Sequence, residues 1–247
     1  TGERAARGVR GYGLPIWSSS ETEDSWEERS GVARALKELA PQFTETRKVE
    51  QVFRFLIDER ALGDKNAVVR QEMQDAGMRI IDAHGAALLE PLIPIFEAGL
   101  AAKDEGTATQ DRIKESIIIL YGHLAQHLDP KDPRVIDIVS RLLRALDTPS
   151  EDVQFAVAEC IAPLVSATRA KLSGYFDELF GKLFDGTSLA QRRGAAYGIA
   201  GLVKGAGLKS LAENDVIRNL VDAADDKKNP QKREGVSFAF ETLSQSL

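Results

Sequence analysis

Apolar residues recur at intervals of three and four along almost the whole chain, and no stretch alternates with the period of two that is typical of a β-strand. Turn-forming pairs interrupt this pattern repeatedly; among them are Gly63-Asp64, Asp129-Pro130, Pro149-Ser150 and Asn229-Pro230. The pattern therefore predicts an all-α protein built from many short amphipathic helices.

Six of the predicted helices repeat one another. They can be laid over each other without gaps on a polar residue near their start, and these starting residues are about 40 residues apart. An apolar residue stands three positions further on in every case, from Val32 in the first to Val236 in the last. The starting residues are Arg29, Arg70, Lys114, Gln154, Arg193 and Arg233, and the helices are predicted near 26–40, 67–83, 110–127, 151–166, 189–204 and 230–245.

A second amphipathic helix is predicted after each of the first five, which makes a helix pair every ~40 residues. That period is typical of HEAT and armadillo repeats, and two helices per unit favour HEAT. We therefore predict an α-solenoid of about six helix pairs over residues 21–247. Residues 1–20 are either an irregular leading segment or an incomplete repeat. Because the last helix carries Phe238, Phe240 and Leu243, we expect the array to be a fragment of a longer superhelix.

Composition excludes several classes of protein. With 43% hydrophobic and 28% charged residues the chain is neither disordered nor fibrous. Its apolar runs are far shorter than the ~20 residues of a membrane span. The single cysteine, Cys160, rules out a disulfide framework and indicates a reducing compartment such as the cytoplasm. Cys160 falls on a predicted buried stripe, which favours a core residue over a nucleophile.

The motifs of common enzyme classes are absent, and we predict no enzyme, cofactor or metal site. Neither a nucleophile elbow nor a phosphate-binding loop occurs. Gly194, Gly198 and Gly201 line one face of a predicted helix, which favours close helix packing over nucleotide binding. His123 and His127 have a spacing that can bind zinc, but the glutamate of the His-Glu-x-x-His motif is missing. Solvated or helix-terminal histidines are therefore predicted.

Basic residues cluster in the last third of the chain, although the net charge of −6 disfavours general coating of nucleic acid. The stretch 186–211 contains four basic residues and no acidic one, and the turn around Asn229 adds more. Because successive turns of a solenoid follow one edge, we predict that these cations form a ridge suited to phosphate contact. The candidate contact residues are Arg192, Lys204, Lys209, Lys227, Lys228 and Lys232.

A second set of charged residues favours a structural role. Basic residues recur at the repeat starting positions, and Asp64 precedes Arg70 by six residues. Asp–Arg ladders that join neighbouring turns are common in HEAT arrays, so we predict such a ladder here. The candidate ladder residues are Arg29, Asp64, Arg70, Arg193 and Arg233.

Several segments resemble one family of very large eukaryotic HEAT proteins. The most specific segment reads Gln-Arg-Arg-Gly-Ala-Ala-Tyr-Gly-Ile-Ala-Gly-Leu-Val-Lys-Gly-Ala-Gly-Leu-Lys-Ser-Leu over 191–211, and Asp-Lys-Lys-Asn at 226–229 and Arg-Glu-Gly-Val-Ser-Phe-Ala-Phe from 233 support it. These segments are similar to the general-control translational activator family. Its members bind ribosomes and switch on the amino-acid-starvation kinase that acts on initiation factor two.

The resemblance implies a non-catalytic, cytoplasmic scaffold that rides on ribosomes. It would place this chain at or just before the part that resembles elongation factor three, where the ribosome and an ATP-binding-cassette partner protein are expected to dock. The kinase is expected to bind through other regions of the parent protein. The residues themselves leave a second reading open, which is a HEAT protein-binding module of another class, such as a transport receptor or a phosphatase scaffold.

Overall fold

A computed structural model of the protein describes residues 24–102 and 106–246. The predicted leading segment, residues 1–20, lies outside these ranges. Within them the chain forms helices and no strand, as the period of the apolar residues predicts. The helices are α1 Trp26–Leu39, α2 Thr46–Asp58, α3 Ala67–His84, α4 Leu89–Ala101, α5 Ala108–Ala125, α6 Arg134–Ala145, α7 Glu151–Ile161, α8 Leu172–Asp185, α9 Leu189–Ala206, α10 Lys209–Glu213, α11 Val216–Ala224 and α12 Pro230–Ser246.

The long helices form two layers. Helices α1, α3, α5, α7, α9 and α12, here called the A helices, pack side by side in chain order. Helices α2, α4, α6, α8 and α11, the B helices, each pack against the A helix that follows in the chain. The predicted α-solenoid is thus confirmed, with five A/B pairs and a sixth A helix among the described residues. One apolar core runs through all of them, because each repeat buries its apolar face on the next.

The A helices all run in the same direction. Cross-repeat contacts show this, because Ser30 and Lys37 of α1 meet Glu72 and Asp75 of α3 in the same order. The loops before the A helices therefore follow one side of the solenoid, here called the start edge. The loops after them follow the opposite side, here called the end edge.

Capping residues mark the starts of four A helices. Each accepts a hydrogen bond from a main-chain N–H of the first turn, which satisfies a donor that the helix itself leaves free. The caps are Asn66, Thr107, Ser188 and Asn229. Pro230 follows the last cap at the first helical position, where its missing N–H costs nothing.

The fourth predicted A helix is shorter than expected. A helix was predicted over 151–166, but α7 ends at Ile161 and a 3₁₀ segment follows over Ala162–Lys171. Pro163 explains the break, because its nitrogen cannot donate the hydrogen bond that an α-helix needs there. The bounds of the other five A helices lie within two residues of those predicted.

Glycines allow α9 to pack closely against the preceding repeat. A Cβ atom placed on Gly194 would lie 1.9 Å from the carbonyl oxygen of Leu146, and one on Gly201 would lie 2.7 Å from that of Ala158. Both distances are far below van der Waals contact, so the backbones approach in a way that only glycine permits. The predicted packing role of these glycines is therefore what the structure shows.

No helix among the described residues combines the length and the apolar character that crossing a membrane requires.

Candidate functional site

Arginine at the fourth position of an A helix anchors the loop that precedes the helix. Arg70, Arg192 and Arg233 all occupy this position, and each donates from Nη1 to a main-chain oxygen six or seven residues earlier. The three oxygens belong to Asp64, Gly186 and Asp226, at 2.7 to 2.8 Å. A guanidinium group suits this role because its five N–H donors have a fixed geometry.

Arg29, the fourth residue of α1, makes a buried ion pair with the next repeat. Its Nε lies 2.6 Å and its Nη2 3.0 Å from the two carboxylate oxygens of Asp64, and its Nη1 contacts Asp24. Both Arg29 and Asp64 are about 95% buried. The hydrogen bonds that Arg29 donates to Asp64 raise the pKa of Arg29 further above its usual value. This bidentate pair joins the first two repeats of the start edge.

Arg192 does not form part of an exposed basic ridge, contrary to the sequence-based expectation. It is only 6% exposed, and its Nε donates at 3.0 Å to Glu234 of α12. Arg192, and not Arg193, is the fourth residue of its helix and therefore corresponds to Arg29. Matching the apolar positions of the predicted helices had put Arg193 in place of Arg192. A shift of one residue along a helix moves a side chain by about 100° around the helix axis, so the two arginines point in different directions.

Arg193 points back to the preceding repeat. Its guanidinium donates to the side chains of Gln154 and Glu151 and to the carbonyl oxygen of Pro149. Tyr197, one turn later, donates to the other oxygen of Glu151. Arg192 and Arg193 therefore join α9 to the repeats on either side of it.

Three candidate contact residues lie together on the start edge. Lys227 and Lys228 are exposed in the loop before α12, and no described residue forms an ion pair with either side chain. Lys232 is half-buried, since its Nζ lies 5.3 Å from the ring centre of Phe184 and 3.6 Å from Asp226. Lys227 and Lys228 are thus the cations of this edge that are most available to a phosphate.

The other two candidates lie elsewhere, which corrects the prediction of a single ridge. Lys204 is in the last turn of α9 and is held at 2.8 Å by both oxygens of Glu159. Lys209 is exposed on the end edge, after the C-terminal end of α9. A helix rises 1.5 Å per residue, so the length of α9 separates Lys209 from Arg192 by roughly 20 Å.

Two of the three histidines contact polar groups of a neighbouring repeat. His123 lies 2.7 Å from Asp82 of the neighbouring A helix, and His84 lies 2.8 Å from the carbonyl oxygen of Ala40. His127 packs against Gly85. In the ranges that the structure covers, no three His, Cys, Asp or Glu side chains come together to hold a metal ion.

The only cysteine is buried between two A helices. Its Sγ lies 3.6 Å from the carbonyl oxygen of Ile119, and its Cβ faces Gly122. Burial raises the pKa of the Cys160 thiol to about 12. The thiol is therefore neutral over the physiological range, and a neutral thiol is a poor nucleophile.

We expect Cys160 to resist Ellman's reagent in the folded protein at about pH 8 and to react fully in concentrated guanidinium chloride. The pKa of this thiol is about 8.5 in the unfolded chain and higher in the folded protein. As the pH rises from the unfolded pKa towards the folded one, ionisation favours the unfolded chain, and the stability that the neutral thiol contributes is lost. The readout is thiol titration by absorbance. Rapid reaction of the native protein would contradict the buried position.

A groove between α3, α5 and α7 was not anticipated from the sequence. It has a volume of about 970 Å³ and follows the exposed side of the A helices. Phe155 stands at its wall and is 51% exposed. The sequence does contain one signal for it, because Phe155 is a large aromatic residue between the polar Gln154 and the small Ala156 on α7.

Comparison with known proteins gives consistent similarities. The family described as "Stalled ribosome sensor GCN1, HEAT repeats" matches residues 6–126. The chain is 48% identical over 238 residues, 96% of its length, to the "eIF-2-alpha kinase activator GCN1" of Saccharomyces cerevisiae. It is 41% identical over 93% of its length to the "Stalled ribosome sensor GCN1" of Homo sapiens. It spans only 9% and 8% of these two relatives.

Among solved structures, the match to a designed armadillo repeat protein covers 93% of this chain and 97% of the designed chain. The identity is 17% and the TM-score is 0.38. The fold assignment rests on the helices described above.

Proposed function

The chain belongs to the GCN1 family, and from this we propose that it is a non-catalytic part of a ribosome-binding scaffold in translational control. The observation that carries the proposal is the 48% identity to the yeast kinase activator over 96% of this chain. Identity at this level over almost the whole of this chain argues for a shared surface as well as a shared fold. The scaffold would support activation of the starvation-responsive kinase that phosphorylates initiation factor two.

We propose the start edge around Lys227 and Lys228 as the ribosome contact. Both side chains are exposed and have no ion pair with a described residue, so contact with phosphate would not first break an internal pair. Lys232 supports them from the next helix turn, although Asp226 and Phe184 already hold it. Lys209 lies on the end edge and would have to contact a different ribosomal surface.

The variant Lys227→Glu/Lys228→Glu tests this contact. We expect it to weaken binding of the purified chain to ribosomes and to flatten the dependence of binding on salt by about 0.7–0.9 logarithmic units per lost phosphate contact. Cosedimentation at several salt concentrations is the measurement. The chain offers a matched control on the end edge, Arg169→Glu/Lys171→Glu, which makes the same charge change at exposed residues that form no ion pair with the part of the chain that the structure describes.

Equal loss of binding in both double variants would mean that net charge alone sets the affinity. Unchanged binding of Lys227→Glu/Lys228→Glu would exclude this edge as the contact. Enrichment of nuclear import cargo over ribosomal proteins in a pull-down would instead favour a transport receptor, the other class that the sequence left open.

Two further partners follow from the same family relationship. The proposal includes an ATP-binding-cassette protein that docks on this part of the scaffold, and a kinase that is reached through other regions of the long relatives. Binding of the purified cassette protein to this chain, measured by calorimetry, tests the first. Binding of the kinase to this chain alone would contradict the second.

A further inference from the structure

The groove between α3, α5 and α7 has the dimensions of an extended peptide. Its α5 lining extends from Arg112 to Gln126, which is about 21 Å at 1.5 Å per residue. A volume of about 970 Å³ over that length leaves a cross-section of roughly 50 Å². Extended chains occupy about 4.8 Å by 10 Å, a cross-section of the same size, whereas an α-helix with side chains is about 10–12 Å in diameter and exceeds it.

One end of the groove, near the start edge, contains two guanidinium groups that no carboxylate of a described residue pairs with. Arg70 donates only to the main-chain oxygens of Asp64 and Lys65, and Arg112 has no ion pair with a described residue. Partial burial and, after it, the nearby charge of Arg112 lower the pKa of Arg70. Glu115 lies beside them, and its carboxylate accepts a hydrogen bond from Thr148. An incoming carboxylate would relieve the repulsion between the two arginines.

The middle and far parts of the groove contain apolar residues beside the polar His123, Gln126 and Glu159. Met78 of α3 and Ile119 of α5 line it there. Phe155, the fifth residue of α7, forms the opposite wall closer to the start edge, with much of its ring exposed. Large exposed aromatic side chains beside a concave surface are typical anchors of protein interfaces. Asp152 lines the same wall nearer the start edge. A basic side chain on the peptide would be attracted by Asp152 but repelled by Arg70 and Arg112.

From these features we propose that the groove binds an extended segment of a partner protein in which an acidic residue precedes a large apolar residue. The carboxylate contacts Arg70 and Arg112, the apolar side chain packs on Met78 and Ile119, and the chain between them passes along Phe155. Arg70 and Met78 are eight residues apart on α3, about 12 Å. An extended chain covers that distance in four residues, and positions i and i+4 point to the same side. The expected pattern is therefore acidic-x-x-x-apolar.

The test is selection of binders from an unbiased library of displayed 12-residue peptides against the full chain, followed by anisotropy measurements with the enriched peptides in synthetic form. We expect enrichment of an acidic residue followed four positions later by Trp, Phe or Leu. Replacing the acid by its amide, or the apolar residue by Ala, should weaken binding about tenfold each. Moving the two residues to a spacing of three should weaken it similarly, since one side chain then points away.

Two substitutions on the protein test the site itself. Arg112→Glu and Phe155→Ala should each weaken binding of the selected peptide at least fivefold. Matched controls are Lys131→Glu and Phe240→Ala, which make the same changes at exposed residues that do not line the groove. Circular dichroism of all four variants checks that each is folded.

Enrichment of basic peptides, or of sequences with helical spacing of apolar residues, would overturn the proposal. So would binding that Arg112→Glu and Phe155→Ala do not weaken more than their controls do. The test is independent of ribosome binding, so its outcome does not decide the function proposed above.

Discussion

Replacing Gly194 by Ala is expected to destabilise the protein by about 3 kcal/mol, a large effect for the addition of one methyl group. The new Cβ would lie 1.9 Å from the carbonyl oxygen of Leu146 and 3.0 Å from Nε2 of Gln154. Neither neighbour can yield easily, because Leu146 contributes backbone and the Gln154 amide donates to the carbonyl oxygens of Leu146, Thr148 and Ala190. The helix must move away, and the contacts of α9 with α7 weaken with it.

A second glycine provides a matched control. Gly181 lies in the middle of α8, and a Cβ placed on it would meet nothing within 4 Å. Gly181→Ala should therefore stabilise the protein by about 0.5–1 kcal/mol, because alanine is the better helix former. Urea unfolding followed by circular dichroism measures both. If the two substitutions shifted the unfolding midpoint in the same direction, the close approach of the backbones at Gly194 would not explain the effect of Gly194→Ala on stability.

Removing the carboxylate in Asp64→Ala is expected to cost about 3–5 kcal/mol. Arg29 would remain buried with only the partly exposed Asp24 as its ion partner, and the main-chain N–H of Asn66 would lose the oxygen that caps it. Most of the loss reflects a buried charge left unpaired, since removing both charges together is far less costly. The free energy of unfolding, again from urea titration, is the measurement.

Two variants separate this explanation from others. Glu159→Ala breaks the Lys204–Glu159 pair, in which both side chains are 41% exposed, and should cost less than about 1 kcal/mol. The double variant Arg29→Met/Asp64→Leu should recover much of the stability lost in Asp64→Ala. A cost for Asp64→Ala no larger than that for Glu159→Ala would show that the buried pair does not stabilise the first two repeats.

Local signals in the sequence predicted most of the fold. The caps at Asn66, Thr107 and Ser188 and the turn residues between helices set helix starts that sequence analysis placed within two residues. The error at α7 has a local cause too, because a helix was predicted through Pro163 and the α-helix ends before this residue. These features are predictable because they depend on residues close together in the chain.

The candidate site was predictable only in part, because it depends on which residues meet across repeats. Arg192 and Arg193 are adjacent and chemically identical, yet one is buried against Glu234 and the other reaches back to Glu151. Lys204 looks like a free cation in the sequence, and Glu159, the residue that holds it, is 45 residues away. Nothing in a single sequence marks such pairs.

The sequence by itself determined that this protein is an array of helix pairs, where its helices begin, and, through its similarity to GCN1, where its function is to be sought. The helical period, the capping residues and the positions of the glycines are local properties of the sequence, and they do not depend on how the repeats are arranged. Only the tertiary structure decided which charged side chains pair with a neighbouring repeat and which remain exposed. It alone placed Arg70, Arg112 and Phe155 around one groove, because the distance between neighbouring A helices, and not the separation along the chain, brings such residues together.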